Sequence, residues 1–475
     1  MKQQRYLFKM LALIMFAMFL LLAVYGAYSI FTYGNRWFSF SRNPRVRAQK
    51  QTVTAGDILD RNGVTLATTV DGQRVYQEDE TARRAVVHLL GDSQGQVSNG
   101  VETFQTRYLY GFETSLSERI NALMSGTPRR GDDVTLTIDS RLCTSIVNAF
   151  NTYPKTQGKK GAAVVMNYKT GELIAQISLP NFDPMNITAD TVADPGQPFW
   201  NRATQSLYPP GSSFKIITTA SALKNLPGAT EEVFPCTGAL VVQNQPIRDY
   251  GGAVHQSLPL RDAFKKSCNN VFALTALNLG DEKLRRTAED FGFNDNFLFR
   301  DLVVENSSYP TDNRTQFELA TTGIGQSALG ATPMHMCMVA AAIANDGVMM
   351  EPRLLMKVSS EAGSIRTTYQ PKVYRTALSA EHAATLQSYM RDVVASGTGT
   401  RAAVSGLTVC GKTGSAESSL SGNAVTYGWF VGYIADSSLP YAVSVLVESI
   451  EDGEGGGSTA APIAHDIFQY LKDAQ

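Results

Sequence analysis

"YPPGSSFKIITTASALK", residues Tyr208 to Lys224, contains the pattern Ser-x-x-Lys twice, as Ser212 with Lys215 and as Ser221 with Lys224. Residues three apart lie on one face of a helix, so either serine could have a lysine beside it as a base. Two prolines precede Ser212, which predicts that a helix starts at about that residue. Free backbone N–H groups and the positive end of the helix dipole stabilise an oxyanion there. We therefore predict Ser212 as a nucleophile and Ser221 as a packed helix residue.

A nucleophilic serine needs a base, and an isolated lysine is a poor one. With a pKa of about 10.4, only about one lysine in two thousand is neutral at pH 7. Burial and a second nearby cation both lower the pKa of a lysine. We therefore expect another lysine, distant in sequence, to fold back to Lys215.

The pattern Ser-x-Asn also occurs twice. Ser267-Cys268-Asn269 lies between or at the ends of helices and is flanked by apolar residues, in "LRDAFKKSCNNVFALTAL". The second copy, residues 421–423, lies in "SSLSGNA", a run of small polar residues that is typical of a turn. The first copy is the better candidate for a catalytic site.

Lys-Thr-Gly is the third repeated pattern. Residues 169–171 form the predicted tip of a hairpin, where an exposed turn is the simpler interpretation. Lys412-Thr413-Gly414 instead ends the apolar strand "LTVCGK" and is followed by Ser415. Small residues at this position would let a ligand lie close against the strand edge.

The flanking sequence predicts an α/β domain. Residues 133–139 alternate like a strand and lead into a helix, and residues 161–180 form a hairpin that turns at 168–171. Another strand pair and a third strand are predicted near the end, in "LTVCGKTGSAE", "TYGWFVGYIA" and "YAVSVLVES". The stretch between them is predicted to be largely helical, and a final amphipathic helix closes the chain. This order predicts one sheet flanked by helices.

The N-terminus predicts a membrane anchor. At 475 residues the chain has room for two or three domains. Residues 10–35 contain no charge and exceed the roughly 20 apolar residues that a membrane-spanning helix needs. A cleaved signal peptide is the alternative, with a cleavage site at Ala27-Tyr28-Ser29, although its apolar core usually runs only about 7–15 residues. Three basic residues precede the span and five follow it, so charge does not favour export of the C-terminal side.

The predicted organisation has four parts. Residues 1–9 form a cytoplasmic tail, 10–35 the transmembrane anchor, 36–132 a small mixed N-terminal domain, and 133–475 the main domain. Within the N-terminal domain, residues 60–63 predict a hairpin turn between short strands. Residues 125–133, rich in glycine, proline and charge, predict a linker.

Charge and cysteine content exclude several classes of protein. A formal net charge of −1 argues against a nucleic-acid-binding protein, which usually has a basic surplus. The five cysteines are scattered and odd in number, so we predict small buried residues rather than a disulfide framework. The five histidines lack close metal-ligand spacing, so we expect no metal site. We also expect no cofactor.

Taken in order, Ser212-x-x-Lys215, Ser267-x-Asn269 and Lys412-Thr413-Gly414 form the three-motif set of the penicillin-recognising serine enzymes. The chain resembles a class B penicillin-binding protein over nearly its full length. "TAGDILDRNGVTLA", "YPPGSSFK", "KSCNNVFA", "GQSALGATPMHM" and "GTGTRAAVSGLTVCGKTGSAE" follow the family order. Ala55 stands where the family usually has arginine, and Ser415 where threonine is commoner.

The resemblance implies a penicillin-binding transpeptidase fold, with residues 36–132 as the family's pedestal or dimerisation domain. It also implies a reaction. The serine is acylated by the penultimate D-Ala of a peptidoglycan stem peptide and the last D-Ala is released; an amine of a neighbouring stem then forms the cross-link. β-Lactams mimic D-Ala-D-Ala and block the serine.

Roles carry over from the family residue by residue. Ser212 corresponds to the nucleophile, Lys215 to its base, and Ser267 to a proton relay toward the leaving amine. Asn269 should hold the backbone amide of the substrate, and Lys412 should face its carboxylate and help keep Lys215 neutral.

The substrate-binding strand of the family maps to Thr413, Gly414 and Ser415, and the hydroxyls of Thr413 and Ser415 could bind the substrate carboxylate. The backbone N–H groups of Ser212 and Ser415 would form the oxyanion hole.

Other functions remain open at this stage. A DD-carboxypeptidase or a β-lactamase would resolve the acyl-enzyme with water. A penicillin sensor should carry several spans or a cytoplasmic output domain, yet only about nine residues precede the single span. A divisome scaffold would not need all three motifs.

We expect the large domain to lie outside the cell membrane because of the peptidoglycan reaction that the resemblance implies. The count of basic residues on either side of the span does not favour this orientation. No glycosyltransferase domain fits before residue 133. The resemblance therefore implies a partner that polymerises glycan, typically a multi-spanning SEDS-type polymerase contacted through the anchor and the N-terminal region.

Overall fold

A computed structural model of the protein describes residues 2–38, 44–126, 129–420 and 423–475. The chain begins with one long helix, α1 (Lys2–Phe38). Its segment Gln4–Ile30 is long and apolar enough to cross a membrane by length and composition, and none of the apolar window is buried against protein. The apolar span predicted for residues 10–35 therefore lies within a single helix.

The region that follows α1 is small and mixed, as the sequence predicts. Its helices are α2 (Pro44–Lys50), α3 (Glu80–Ala85), α4 (Val87–Leu90), α5 (Val101–Phe104), α6 (Thr106–Leu109) and α7 (Leu116–Ser125). Its strands are β1 (Val53–Thr54), β2 (Ile58–Leu59), β3 (Thr65–Val70), β4 (Gln73–Tyr76) and β5 (Arg129–Arg130). The hairpin turn predicted at residues 60–63 is confirmed, because β2 and β3 pair antiparallel on either side of it.

The linker predicted at residues 125–133 is wrong in its described part. Arg129–Arg130 form β5, which pairs parallel with β1. The Arg130 guanidinium lies 3.2 Å from an oxygen of Asp57 and 2.7 Å from one of Asp133. The charge that suggested a solvated linker therefore ties this segment to both neighbouring parts of the chain. Residues 127 and 128 lie outside the described residues.

One sheet joins the two predicted domains. Strands β6 (Asp133–Leu136), β14 (Leu355–Ser359) and β15 (Ile365–Thr368) complete a six-stranded sheet in the order β15-β14-β6-β2-β3-β4. Strand β6 pairs parallel with β2 and antiparallel with β14. The domain boundary between residues 132 and 133 stays a prediction. Strand β6, which begins at this boundary, pairs with one strand from each of the two predicted domains.

The second sheet is the centre of the fold. It contains β7 (Gly161–Asn167), β8 (Leu173–Leu179), β17 (Val409–Leu420), β18 (Asn423–Ile434) and β19 (Tyr441–Val447), in the antiparallel order β17-β18-β19-β7-β8. Strands β7, β8 and β19 are buried along most of their length, which indicates cover on both faces. Helices α8 (Ser140–Thr152), α15 (Pro333–Ala344) and α17 (Ala460–Asp473) pack against the sheet. The predicted α/β fold with a sheet flanked by helices is confirmed.

The stretch between these strands is more mixed than predicted. Its helices are α9 (Ala189–Ala193), α10 (Lys215–Asn225), α11 (Leu260–Lys266), α12 (Asn269–Leu279), α13 (Asp281–Asp290), α14 (Gln316–Gly323) and α16 (Ala380–Ser396). The prediction missed β9 (Val233–Cys236), β10 (Ala239–Val242), β11 (Gln245–Arg248), β12 (Gln256–Pro259), β13 (Val348–Met350) and β16 (Val373–Thr376). Each has only three or four residues, too few for an alternating pattern to show.

Candidate active site

Ser212 lies on a tight turn that precedes α10. Residues Gly211–Phe214 form one turn of 3-10 helix, and the regular α-helix begins at Lys215, three residues later than predicted. The Ser213 hydroxyl donates to the Pro210 carbonyl at 2.6 Å, which holds the turn from inside. Ser212 is half-buried and lines a cleft of about 850 Å³. The turn therefore presents Ser212 to the cleft while its neighbours pack inward.

Close backbone contacts fix this turn against its surroundings. Gly211 has a φ of 54°, and a Cβ there would lie 2.5 Å from the Ser415 carbonyl oxygen. The Gly211 N–H donates to the Gly325 carbonyl at 2.9 Å, and a Cβ on Gly325 would lie 1.8 Å from the Gly211 oxygen. Glycine is required at both positions because no side chain fits between the three segments. Ser212 is thereby held beside strand β17.

Lys215 is buried beneath the cleft, one turn after Ser212. Its Nζ lies 2.7 Å from the Ser267 carbonyl oxygen, 2.7 Å from Asn269 Oδ1 and 3.3 Å from Ser267 Oγ. Burial lowers the pKa of Lys215 to about 7, and the nearby Cys268 and Asp249 oppose this shift. A large fraction of Lys215 is therefore neutral near pH 7, as a general base requires.

The Ser-x-Asn motif occupies a break between two helices. Helix α11 ends at Lys266 and α12 begins at Asn269. Ser267, between them, has a φ of 60°, in the left-handed region. The break turns both the Ser267 hydroxyl and the Asn269 amide toward Lys215. The prediction that this copy lies at the ends of helices is confirmed.

Lys412 is the second lysine that the sequence led us to expect. It is fully buried, and its Nζ donates to Ser267 Oγ at 2.8 Å and to the Thr413 carbonyl at 3.0 Å. Burial and the charge of Lys215 hold the pKa of Lys412 well below its usual value. Two lysines nearly 200 positions apart thus contact one serine hydroxyl, which provides a path for a proton between them.

Strand β17 forms the opposite wall of the cleft. Ser212, Ser267, Asn269, Thr413 and Ser415 all line the cleft. Thr413 Oγ1 lies 2.6 Å from Thr398 Oγ1, and Ser415 is exposed toward the cavity. The buried Lys215, Lys412 and Gly414 lie behind this surface. All eight predicted site residues therefore belong to one region of the molecule.

The second copies of the motifs lie elsewhere. Ser221 is buried and donates to the Lys283 carbonyl at 3.2 Å, as expected of a packed helix serine. Lys224 pairs with Asp290 on the surface. Residues 169–171 form a turn between β7 and β8, as predicted, but of the three only Lys169 is exposed, while Thr170 is half-buried and Gly171 is buried. Of the other Ser-x-Asn copy, residues 421 and 422 lie outside the described residues.

Sequence reasoning missed several residues of the cleft. Asp249 accepts hydrogen bonds from the backbone of Asn269 and from the side-chain amide of Asn270, the latter at 3.0 Å. The Tyr250 hydroxyl donates to the Gly453 carbonyl at 2.6 Å, and both residues line the cleft. No motif marks these residues, because their role depends on loops that meet only in the folded chain.

The cysteines are free and buried, as predicted, and two of them belong to a cluster of polar side chains. All five are free and buried, as expected. However, Cys236 and Cys268 lie together with Asp249 and His255, and their potential ligand atoms are all within 4.8 Å of one another. The expectation of no metal site relied on spacing along the chain and did not consider this cluster.

Known proteins are similar to this chain in sequence. A family model described as the penicillin-binding protein transpeptidase domain matches residues 161–469, well over half of the chain. Over 456 residues the chain is 30% identical to the peptidoglycan D,D-transpeptidase PbpA of Mycolicibacterium smegmatis, covering 89% of this chain and 90% of that one. The chain belongs to the class B penicillin-binding proteins. This class B protein is also 28% identical to the stage V sporulation protein D of Bacillus subtilis, over 84% of the chain and 65% of that protein.

Solved structures of penicillin-binding proteins have the same fold. The ceftriaxone acyl-enzyme complex of penicillin-binding protein A from M. tuberculosis matches this chain with a TM-score of 0.81 and 28% identity. The match covers 89% of this chain and 99% of that one. A D,D-transpeptidase domain from Eggerthella lenta matches with a TM-score of 0.76 and 31% identity, over 89% and 99% of the two chains.

Proposed function

We propose that the protein is a serine-type peptidoglycan D,D-transpeptidase with Ser212 as nucleophile. The observation that supports this most is the Ser267 hydroxyl, which contacts two buried lysines beside a cleft that Ser212 lines. This arrangement can take a proton from one group and deliver it to another without solvent. PbpA of Mycolicibacterium smegmatis is named as a peptidoglycan D,D-transpeptidase, and penicillin-binding protein A from M. tuberculosis forms a ceftriaxone acyl-enzyme, which agrees with this chemistry.

In the acylation step, neutral Lys215 takes the proton of the Ser212 hydroxyl. The Ser212 oxygen attacks the carbonyl carbon of the penultimate D-Ala, and the oxyanion is stabilised by the backbone N–H groups of Ser212 and Ser415. The Lys215 proton passes through Ser267 to the nitrogen of the last D-Ala. The C–N bond breaks, D-Ala leaves as a neutral amine, and an ester remains on Ser212.

In the second step, an amine of a neighbouring stem peptide attacks the ester carbonyl. The same chain of groups accepts a proton from this amine and returns one to the Ser212 oxygen as the ester bond breaks. A new amide joins the two stems, and the enzyme returns to its starting state. A β-lactam would acylate Ser212 by the first step alone, and its opened ring would remain attached.

Substrate binding uses the walls of the cleft. The Asn269 side chain would hold the substrate amide, while the hydroxyls of Thr413 and Ser415 would bind the terminal carboxylate. Lys412 is buried behind Thr413 and does not itself line the cleft, so it would act on the substrate through the Ser267 hydroxyl that it contacts.

Labelling with a fluorescent penicillin tests this proposal. We expect lasting label on the wild type and on Ser221→Ala, and none on Ser212→Ala. Ser221→Ala is the matched control, since Ser221 is a buried serine of the second Ser-x-x-Lys copy. Rapid loss of label would indicate a β-lactamase or a carboxypeptidase, in which water resolves the ester. The absence of label at all times would contradict the proposal and favour a structural scaffold without catalytic activity. Label on a protein that forms no cross-links would indicate a penicillin sensor.

We further propose that α1 anchors the protein in the cell membrane with the transpeptidase domain outside, where peptidoglycan is made. Release of protein by a protease added to intact cells tests this orientation. A SEDS-type glycan polymerase is the proposed partner, contacted through α1 and the N-terminal region. The two proteins should co-purify from membranes, and replacing residues 1–50 should abolish this association; persistence of the complex would contradict the proposed contact.

A further inference from the structure

A second cavity adjoins the catalytic cleft, and we call it the side pocket. It has a volume of about 580 Å³ and is lined by the segment that follows α8, by the turn Thr400–Ala402 and by the start of α17. Ser458 lines both cavities. Glu454, in the wall of the cleft, forms an ion pair of 2.5 Å with Lys155, in the wall of the side pocket. The two cavities are therefore neighbours that share one wall.

The side pocket combines apolar surface with positive charge. Its apolar surface comes from Tyr153, Pro154 and Pro462. The Arg401 side chain is exposed and makes no hydrogen bond or ion pair with any residue that the structure describes. Its charge acts on Glu454, whose pKa is lowered chiefly by the hydrogen bond from Lys155. Because Lys155 already neutralises Glu454, the Arg401 guanidinium is available to bind a carboxylate, for which its paired N–H groups are well shaped.

A short segment leads from the substrate site into the side pocket. Thr398 lines the cleft, and its Oγ1 lies 2.6 Å from Oγ1 of Thr413, one of the hydroxyls proposed to bind the terminal carboxylate. Arg401, three residues later, lines the side pocket. Their Cα atoms can be at most about 11 Å apart. An extended peptide advances about 3.3–3.6 Å per residue, so a ligand of three or four residues spans this distance.

The order of the reaction steps determines which substrate lies on this side. The last D-Ala leaves as an amine, and the acceptor amine then attacks the same ester carbon and uses the same proton path. By microscopic reversibility, the acceptor amine therefore occupies the position that the leaving amine has vacated. The rest of the acceptor must extend past the place of the lost D-Ala, beside Thr413 and Thr398. The side pocket begins there.

We propose that the side pocket binds the acceptor stem peptide, with a carboxylate of that peptide paired to Arg401. This inference rests on the proposed transpeptidase function and extends it to the second substrate. A stem peptide carries a carboxylate at its D-Ala end, which supplies the anion that Arg401 lacks within the protein. The donor stem occupies the cleft, so the two peptides are bound in different cavities although their chemistry is alike.

Competition between two acceptors tests the proposal on the full-length protein in detergent. A small thioester donor acylates Ser212 and releases its thiol. The ester is then resolved by water, by D-alanine, or by a tetrapeptide stem isolated from the peptidoglycan of the cells that make the protein. D-Alanine fills only the place of the leaving group, whereas the tetrapeptide is long enough to enter the side pocket. Mass spectrometry of the products gives the ratio of aminolysis to hydrolysis for each acceptor.

Arg401→Gln should lower this ratio about tenfold for the tetrapeptide and leave it unchanged for D-alanine, because only the tetrapeptide loses a charged partner. Penicillin labelling should also be unchanged, since it requires acylation alone. Arg141→Gln is the matched control. Arg141 lies on α8 outside both cavities, its side chain is 68% exposed, and its removal should leave both ratios at the wild-type value.

Ala403→Trp is a second variant that does not change the charge. Ala403 is exposed and lines the side pocket, so a tryptophan there would fill the pocket and cause the same selective loss. Unchanged ratios in both Arg401→Gln and Ala403→Trp would overturn the proposal. So would an equal loss for both acceptors, because it would place the effect at the reaction centre. A wild type that penicillin labels but that transfers to neither acceptor would contradict the transpeptidase function itself and, with it, the acceptor site.

Discussion

The protonation state of Lys215 should control the rate at which Ser212 is acylated. Burial lowers the pKa of Lys215 from 10.5 to about 7. Only the neutral amine can accept the Ser212 proton, so acylation should be lost as the pH falls through the pKa of the folded enzyme. The experiment is therefore to measure the acylation rate at a series of pH values between about pH 5 and pH 9.

The magnitude follows from the neutral fraction. At pH 7, a lysine with a pKa of 10.5 is neutral in about one molecule in three thousand, and one with a pKa of 7 in about half. The lowered pKa therefore increases the fraction of Lys215 that is neutral at pH 7 roughly a thousandfold. The acylation rate should rise about tenfold per pH unit below pH 6 and become level above about pH 8.

The assay is the second-order rate of labelling by a fluorescent penicillin, measured before the reaction saturates. Lys169→Ala, in the exposed Lys-Thr-Gly copy, should leave the profile unchanged. A flat profile, or a wild-type midpoint above about pH 9, would refute the assignment of Lys215 as a base of lowered pKa.

Four substitutions give further outcomes. Ser415→Ala should slow penicillin acylation only a few fold, since a backbone oxyanion donor survives the change, whereas Lys215→Ala should slow it by about 10²–10⁴; equal rates would contradict this order. Gly211→Ala should slow acylation by about 10²-fold in folded protein, because the new Cβ would meet the Ser415 carbonyl and displace Ser212. Arg74→Met should lower the free energy of unfolding by about 3–5 kcal/mol in a denaturant titration, because it leaves Glu102, 2.5 Å from Arg74 and 3% exposed, as an unpaired buried charge; an unchanged midpoint would contradict it.

Local rules were sufficient for much of the fold. The apolar run at the N-terminus, the turns at residues 60–63 and 168–171, and the helix that follows two prolines depend on a few neighbouring residues. The structure confirms each of them. Sequence failed where an element depends on distant partners: Arg129–Arg130 form a strand only because β1 lies alongside.

For the site, the sequence by itself determined the chemical inventory: a serine at the start of a helix, two lysines, a Ser-x-Asn motif and a small-residue strand. Tertiary structure decided which copies meet, and it placed Lys215 and Lys412 on the same Ser267 hydroxyl. The pKa of Lys215 also belongs to the fold, since desolvation depends on all that covers the amine. The cluster at Cys236 and Asp249 had no signature in sequence, because its members are neighbours only after separate segments of the chain have packed together beside the cleft.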